Sequence, residues 1–390
     1  MTRRAAPVFG AMVLSVAAVG ALACRSGGGE PEKPGAAEPA KPGLNRLLVD
    51  QKPGTWLQLP IKSDAKPQHI HAHAGGAIDP ETSTLHFFGS DNHANYDNNE
   101  VWSFDPAAMT WKPSYSPDKF DTYRYQDGCK VTTTGHPWAI HTFAMNVWDP
   151  VGRQLVVGAH QMHYGFEKMP NAKVPPNAAE SWWSYDPAAG KWTPALNSPD
   201  LGLGHLCYVP RLKRAVGFSG GNAPVALYDP DKKTFEPFKG QGRCPEGYTL
   251  RTAYDTRRDR ILLISWDKGP NVWAFDLDKK QWTNLQVKDR PEGSIYGSWD
   301  YDQSADVIVS QWPDDPKGGF SNSSGKGRTF LVDLNENAYQ EVKTEPNGPY
   351  TGMSFKVIYD PRHKVTFSVI GNEVWSFKAP APEKQPEAGK

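Results

Sequence analysis

Cysteine, net charge and long apolar runs are all scarce in this 390-residue chain. It has 4 cysteines and no C-x-x-C pair, so a structural zinc site of that type has no support. Its 43 basic and 43 acidic side chains cancel, which removes the electrostatic ground for a nucleic-acid partner. No segment carries the i, i+3, i+4 apolar spacing of a long amphipathic helix. Apolar length is concentrated at the N-terminus, in Ala5 to Leu22, which is short and rich in small residues for a membrane span. Tryptophan, by contrast, is plentiful at 14, and strand-length runs alternate with Asp-Pro, Gly-Asn and Asp-Lys turn signals. These features predict an all-β chain.

One phrase recurs: apolar or aromatic residues, an Asp, and an aromatic six positions after that Asp. It reads Trp102-Ser103-Phe104-Asp105 to Trp111, Trp183-Ser184-Tyr185-Asp186 to Trp192, and Leu227-Tyr228-Asp229 to Phe235. It continues with Trp273-Ala274-Phe275-Asp276 to Trp282 and Phe330-Leu331-Val332-Asp333 to Tyr339. A sixth copy, Val374 to Phe377, meets Lys378 where the Asp is expected. A second hairpin signal precedes each copy, which predicts six units of four strands. The last unit has three strands of its own, and Thr55 to Pro60 stands alone before the first. Its insertion as the missing strand closes the ring and removes two exposed edges. The prediction is a six-bladed β-propeller over residues 50–380. On its hairpins and repeat size the chain resembles the kelch and galactose-oxidase-like propellers, although that family's paired glycines after the second strand survive only as Gly220-Gly221.

The N-terminus reads as a processing segment: Arg3 and Arg4, an apolar stretch, and Ala21-Leu22-Ala23 as a small-residue cleavage site. Residues 1–23 are expected to be a signal peptide. Cys24 follows directly and resembles the acylated first residue of a bacterial lipoprotein, although Ala21 stands where such signals have Leu. That resemblance implies a location in the bacterial cell envelope, with the membrane reached through the lipid alone. Residues 24–49, rich in Gly, Pro, Ala and Glu, are expected to be a flexible tether, and residues 381–390 a disordered tail.

In a four-stranded blade, the turns between first and second strands and between third and fourth strands share one face. Loops from second to third strand, and from blade to blade, share the other. Every long insertion falls in the second set: Ser90 to Asn99, Ser114 to Pro137, Gly158 to Glu180 and Trp312 to Gly327. One-sided elaboration of a rigid ring is the pattern of a binding or catalytic surface. The candidate ligand contacts there are Tyr125, His136, Trp138, His163, Arg251, Tyr296 and Trp312. His69, His71 and His73 alternate, so on a strand they project to one side. With His141, His163 and His205 they are the candidate ligands for Cu or Zn, against the alternative of channel histidines bonded to water or backbone. Asp91, Asn92, Asp97, Asn98, Asn99 and Glu100 offer oxygen ligands suited to Ca²⁺ but lack the spacing and Gly of a known calcium loop, so they read as a solvated polar turn. Cys129 and Cys244 both fall in loops on this face, so a bridge between them is geometrically open, while Cys207 reads as a buried thiol.

The reading favoured by the sequence is an exported, lipid-anchored, monomeric propeller that binds a protein, glycan or metal on its long-loop face. The alternative is a metal-dependent enzyme, oxidase- or hydrolase-like, using the histidines at the channel mouth. Galactose oxidase chemistry is disfavoured because a C-terminal domain completes that family's copper site, and here a short Pro-rich tail follows the last blade.

Overall fold

The six-residue interval between Asp and aromatic is the span of one hairpin connection. The computed structural model describes residues 43–67, 70, 73–89, 98–158, 182–195, 204–218, 225–238, 245, 251–265, 271–292, 298–314, 327–349 and 356–380. In strands Trp102–Asp105 and Thr110–Pro113, Phe104 pairs with Trp111 across the hairpin, and their rings pack at 5.1 Å. The residue before the Asp thus always faces the aromatic: Tyr185 with Trp192, Tyr228 with Phe235, Phe275 with Trp282, Val332 with Tyr339. Asp105 closes the turn, its Oδ1 accepting from the amides of Ala107 and Ala108 at 2.8 and 3.2 Å. Asp186, Asp229, Asp276 and Asp333 repeat the arrangement. Four residues after each Asp the backbone turns left-handed, at Met109, Gly190, Lys233, Lys280 and Asn337, with φ of 50–61°.

These hairpins build six four-stranded antiparallel sheets, each running outward from the channel. Blade 1 is Gly75–Ile78, Leu85–Phe88, Trp102–Asp105 and Thr110–Pro113. Blade 2 is Asn146–Asp149, Gln154–Val157, Trp182–Asp186 and Lys191–Ala195. Blade 3 is His205–Val209, Arg214–Phe218, Val225–Asp229 and Thr234–Phe238. Blade 4 is Thr252–Asp255, Arg260–Ser265, Asn271–Asp276 and Gln281–Asn284. Blade 5 is Trp299–Asp302, Val307–Pro313, Gly327–Asp333 and Ala338–Val342. Blade 6 is Val357–Asp360, Val365–Ile370, Glu373–Lys378 and, outermost, the N-terminal strand Thr55–Gln58. Successive innermost strands neighbour one another, and that of blade 6 neighbours that of blade 1, so the ring closes. The chain is therefore a six-bladed β-propeller, and among the described residues the only α-helix is the single turn Arg46–Val49.

Closure is specific. Thr55 pairs with Lys378 and Trp56 with Phe377, and the Trp56 ring packs on Phe377 at 5.0 Å. Trp56 Nε1–H donates to Thr329 Oγ1 of blade 5 at 2.8 Å. Gly348 lies so close that a Cβ there would fall 2.7 Å from the indole nitrogen, which excludes any larger residue without a shift. The segment before the strand is also built in. Gln51 exchanges hydrogen bonds with Ser376, Leu48 is fully buried, and the Asn45 amide donates to His363 Nε2 at 3.0 Å. The tether boundary expected at residue 49 is therefore too late, because Asn45 to Val49 pack on the propeller. The expected signal peptide, residues 24–42 and the tail 381–390 lie outside the described residues.

Two further details differ from the sequence reading. The Ser114 to Pro137 insertion contains an extra hairpin, Tyr123–Gln126 with Cys129–Thr132, preceded by a 3-10 turn at Phe120–Thr122. Trp312 and Gly327, expected at the limits of a loop, belong to paired strands of blade 5.

Candidate functional site

The extra hairpin is fastened to blade 1 through one carboxylate. Asp118 Oδ2 accepts from Asn99 Nδ2 at 2.9 Å and Thr132 Oγ1 at 3.1 Å, and Oδ1 accepts from Thr134 Oγ1 at 2.7 Å. The same Oδ2 meets His136 Nδ1 at 2.8 Å. Burial works to raise the Asp118 pKa, but the hydrogen bonds from Asn99, Thr134 and His136 outweigh it and hold the carboxyl below its ordinary value. The other face of this hub is aromatic. The His136 ring stacks on Tyr115 with centroids 3.9 Å apart, and Trp192 Nε1–H of blade 2 donates to the Tyr115 hydroxyl at 2.7 Å. Tyr115 in turn donates to the Asn99 carbonyl at 2.5 Å, and its pKa is driven well above 10 chiefly by burial. The hub fixes the imidazole plane and leaves the side chain 18% exposed on the long-loop face.

Other expected site residues divide sharply. Tyr125 lies half-buried on the first strand of the extra hairpin. Trp138 is 1% exposed and donates to the carbonyls of Arg124 and Val131, so it packs the insertion from inside. Trp312 is wholly buried and donates to Ser310 Oγ at 3.0 Å within the blade 5 core. Neither indole presents a face to a ligand, which corrects the expectation of exposed aromatics at those positions. His73 and His141 do come together, stacked at 4.0 Å with Phe143 against both rings. His73 lies in a turn before the innermost strand rather than on it, because the strand begins at Gly75. The alternating-strand argument therefore fails there. His205 opens the innermost strand of blade 3, stacks on Phe218 at 5.5 Å, and has neither ring nitrogen hydrogen-bonded. Among the described residues, no group of three or more His, Cys, Asp or Glu side chains is placed to hold a metal ion.

Cys129 is buried on the second strand of the extra hairpin, and Cys207 is a free buried thiol whose pKa burial raises. Asn99, expected in a solvated turn, is instead fully buried and is the partner of Asp118. His69, His71, His163, Tyr296, Cys24, Cys244 and Asp91 to Asp97 lie outside the described residues.

Arg251 immediately precedes the innermost strand of blade 4 and forms an ion pair with Asp300 of blade 5 at 3.3 Å. Both line a cavity of about 280 Å³ in the central channel. Its rim includes Pro80, Pro150, Pro210, Gln303 and Pro361, all from turns between first and second strands. The cavity thus reaches the face opposite the long loops. Sequence reasoning named Arg251 but missed Asp300. Alignment of the innermost strands on their turn residue exposes it, since Ala77, Val147, Cys207, Ala253 and Ile358 hold the other five places.

The fold and these two surfaces define the class: a β-propeller with a buttressed loop face and a polar pair inside its channel. No protein-family model matches the chain, and no curated protein matches it. Among solved structures, it is similar to the crystal structure of TolB from Acinetobacter baumannii, at 11% sequence identity and a TM-score of 0.43. That likeness covers 71% of this chain and 55% of the other, so the match spans about half of that protein's length. The blade count rests on the hydrogen-bonded strand order above.

Proposed function

We propose that this is an exported, lipid-anchored propeller of the bacterial envelope that binds a protein partner on its long-loop face. The observation that carries the reading is the Asp118 hub. An idle loop has no need of a buried carboxylate taking four side-chain contacts, whereas a surface held for recognition does. Among the described residues, burial of Trp138 and Tyr123 inside the insertion withdraws those two rings from a stacking glycan, which favours protein over carbohydrate. The kelch-like hairpins and the Ala21-Leu22-Ala23-Cys24 segment support the family resemblance and the anchor. A Gly- and Pro-rich stretch after Cys24 is what an anchored recognition domain requires.

The test uses photo-crosslinking amino acids placed in cells at Tyr125 and, as a control on the short-turn face, at the exposed Val151. Discrete protein adducts from position 125 and none from 151 are expected, with loss of the adducts in His136→Ala. Adducts only from position 151, or adducts lost on digestion with glycan hydrolases alone, overturn the protein-partner reading. Cys24→Ser is expected to release the chain from the membrane fraction, and unchanged fractionation refutes acylation.

A second reading, a metal-dependent enzyme using Cu or Zn, draws on the nearness of His73 and His141, whose ring centroids lie 4.0 Å apart. Elemental analysis of the metal-replete mature protein decides it. Near-stoichiometric metal lost in His73→Ala with His141→Ala supports it, and no metal sinks it.

A further inference from the structure

The channel cavity is lined by residues from all six innermost strands, and among the described residues Arg251 and Asp300 are the only charged side chains that line it. Both are nearly buried, with 11% and 14% of their side chains exposed. The remaining wall is mostly apolar or aromatic, including Val147, Leu206, Ala253 and Ile358. An ion pair in such surroundings gives up hydration that apolar residues of similar volume would not have to. Part of it has a structural explanation. Asp300 also accepts from the Tyr301 and Tyr359 amides, each at 2.8 Å, and so ties blade 5 to blade 6.

That explanation does not reach Asn146, on the innermost strand of blade 2. Its Nδ2 donates to the Phe88 carbonyl at 3.0 Å, but its Oδ1 is buried with no hydrogen-bond partner, and the residue lines the same cavity. A buried amide oxygen left without a donor costs stability unless something in the cavity supplies one. The polar groups that line this cavity thus include one cation, one anion with an acceptor site remaining beyond its three bonds, and an unmet amide acceptor. Set in an apolar wall, they are complementary to a small molecule that carries both charges and N–H donors. At about 280 Å³ the space lies just below the range of drug-sized sites, which suits a small metabolite.

We propose that the central channel is a binding site for a small zwitterion of the amino-acid class, with a free carboxylate and a free ammonium. The carboxylate is taken by Arg251, the ammonium and other N–H groups are taken by Asp300 and Asn146 Oδ1, and an apolar side chain is taken by the wall. α-Amino acids and dipeptides share this chemistry, and the length of the ligand separates them. The site is distinct from the long-loop face and does not depend on the reading given for it.

The experiment is thermal unfolding of the mature protein titrated with each common L-amino acid and with L-alanyl-L-leucine, to about 10 mM. A saturable rise in midpoint is expected for at least one of these ligands, and whether it comes from the amino-acid or the dipeptide arm identifies the source. Its N-acetylated and its C-amidated forms are each expected to bind about tenfold or more weakly, because each lacks one charge-assisted contact. Arg251→Met and Asp300→Asn are expected to lose the response while still unfolding cooperatively. If either variant fails to fold, the capped ligands on the unaltered protein still decide. No shift with any ligand in either arm, or equal shifts from capped and free forms, overturns the proposal and leaves the pair as an inter-blade tie.

Discussion

Burial lowers the pKa of His86 to about 4 and that of His205 to about 3. Both lie below the unfolded value of about 6.5, so the unfolded chain takes up protons first as pH falls. The stability these rings contribute is full above that value and then declines by about 1.4 kcal/mol per pH unit for each. The His86 contribution stops falling near pH 4 and that of His205 near pH 3. Asp118 acts in the same sense but later, since its depressed carboxyl loses its contribution only as pH falls through its lowered value. Urea midpoints between neutral and mildly acidic pH should therefore fall ahead of the loss at Asp118. His205→Leu should flatten that slope. At neutral pH the same variant should gain roughly 1–3 kcal/mol, because it removes two buried nitrogens with no partner. A loss instead would mean that something in the native protein occupies those nitrogens. At this scale the sequence was least informative. Asn99, from the loop before the third strand of blade 1, and Thr132, Thr134 and His136, from the insertion, converge on Asp118, and no spacing in the chain announces that meeting.

Hairpins were legible because their rule is local. The Asp that accepts two amides, the left-handed residue four positions on, and the aromatic facing the residue before the Asp all fall within eight positions. Contacts between blades obey no such rule. Arg258, in a turn of blade 4, donates to Asp306 Oδ1 at 2.8 Å and Oδ2 at 2.9 Å in blade 5, and also to Asn335 and to its own Asp255. Asp306 is 3% exposed and Asp255 not at all, so this turn-to-turn tie confines two carboxylates. Arg258→Met leaves both with reduced compensation and is expected to cost about 3 kcal/mol or more, read from the urea midpoint. A change under about 0.5 kcal/mol would show that Arg257, Arg260 and Tyr301 suffice by themselves.

For the molecule as a whole, the decisive contact joins the two ends of the domain. Thr55–Gln58 supplies the outer strand of blade 6, and Trp56 reaches on to blade 5. Deletion of residues 50–61 should lower the thermal midpoint of the entire domain, not of one blade, because each blade packs only between two neighbours. A midpoint that barely moves would show that the ring tolerates an open last blade. Trp56→Ala alone should cost about 3–5 kcal/mol, as expected for a buried tryptophan. The sequence by itself determined the blade number, the closing strand and the face that carries the long loops, since each follows from strand-length patterns and turn chemistry repeated along the chain. It did not determine which aromatics on that face are exposed, as Trp138 and Trp312 show. It did not reveal that Arg251 meets Asp300 across blades, or that the channel leaves Asn146 Oδ1 unmet. Those features depend on distances between residues far apart in the chain, and only packing six blades around one axis fixes them.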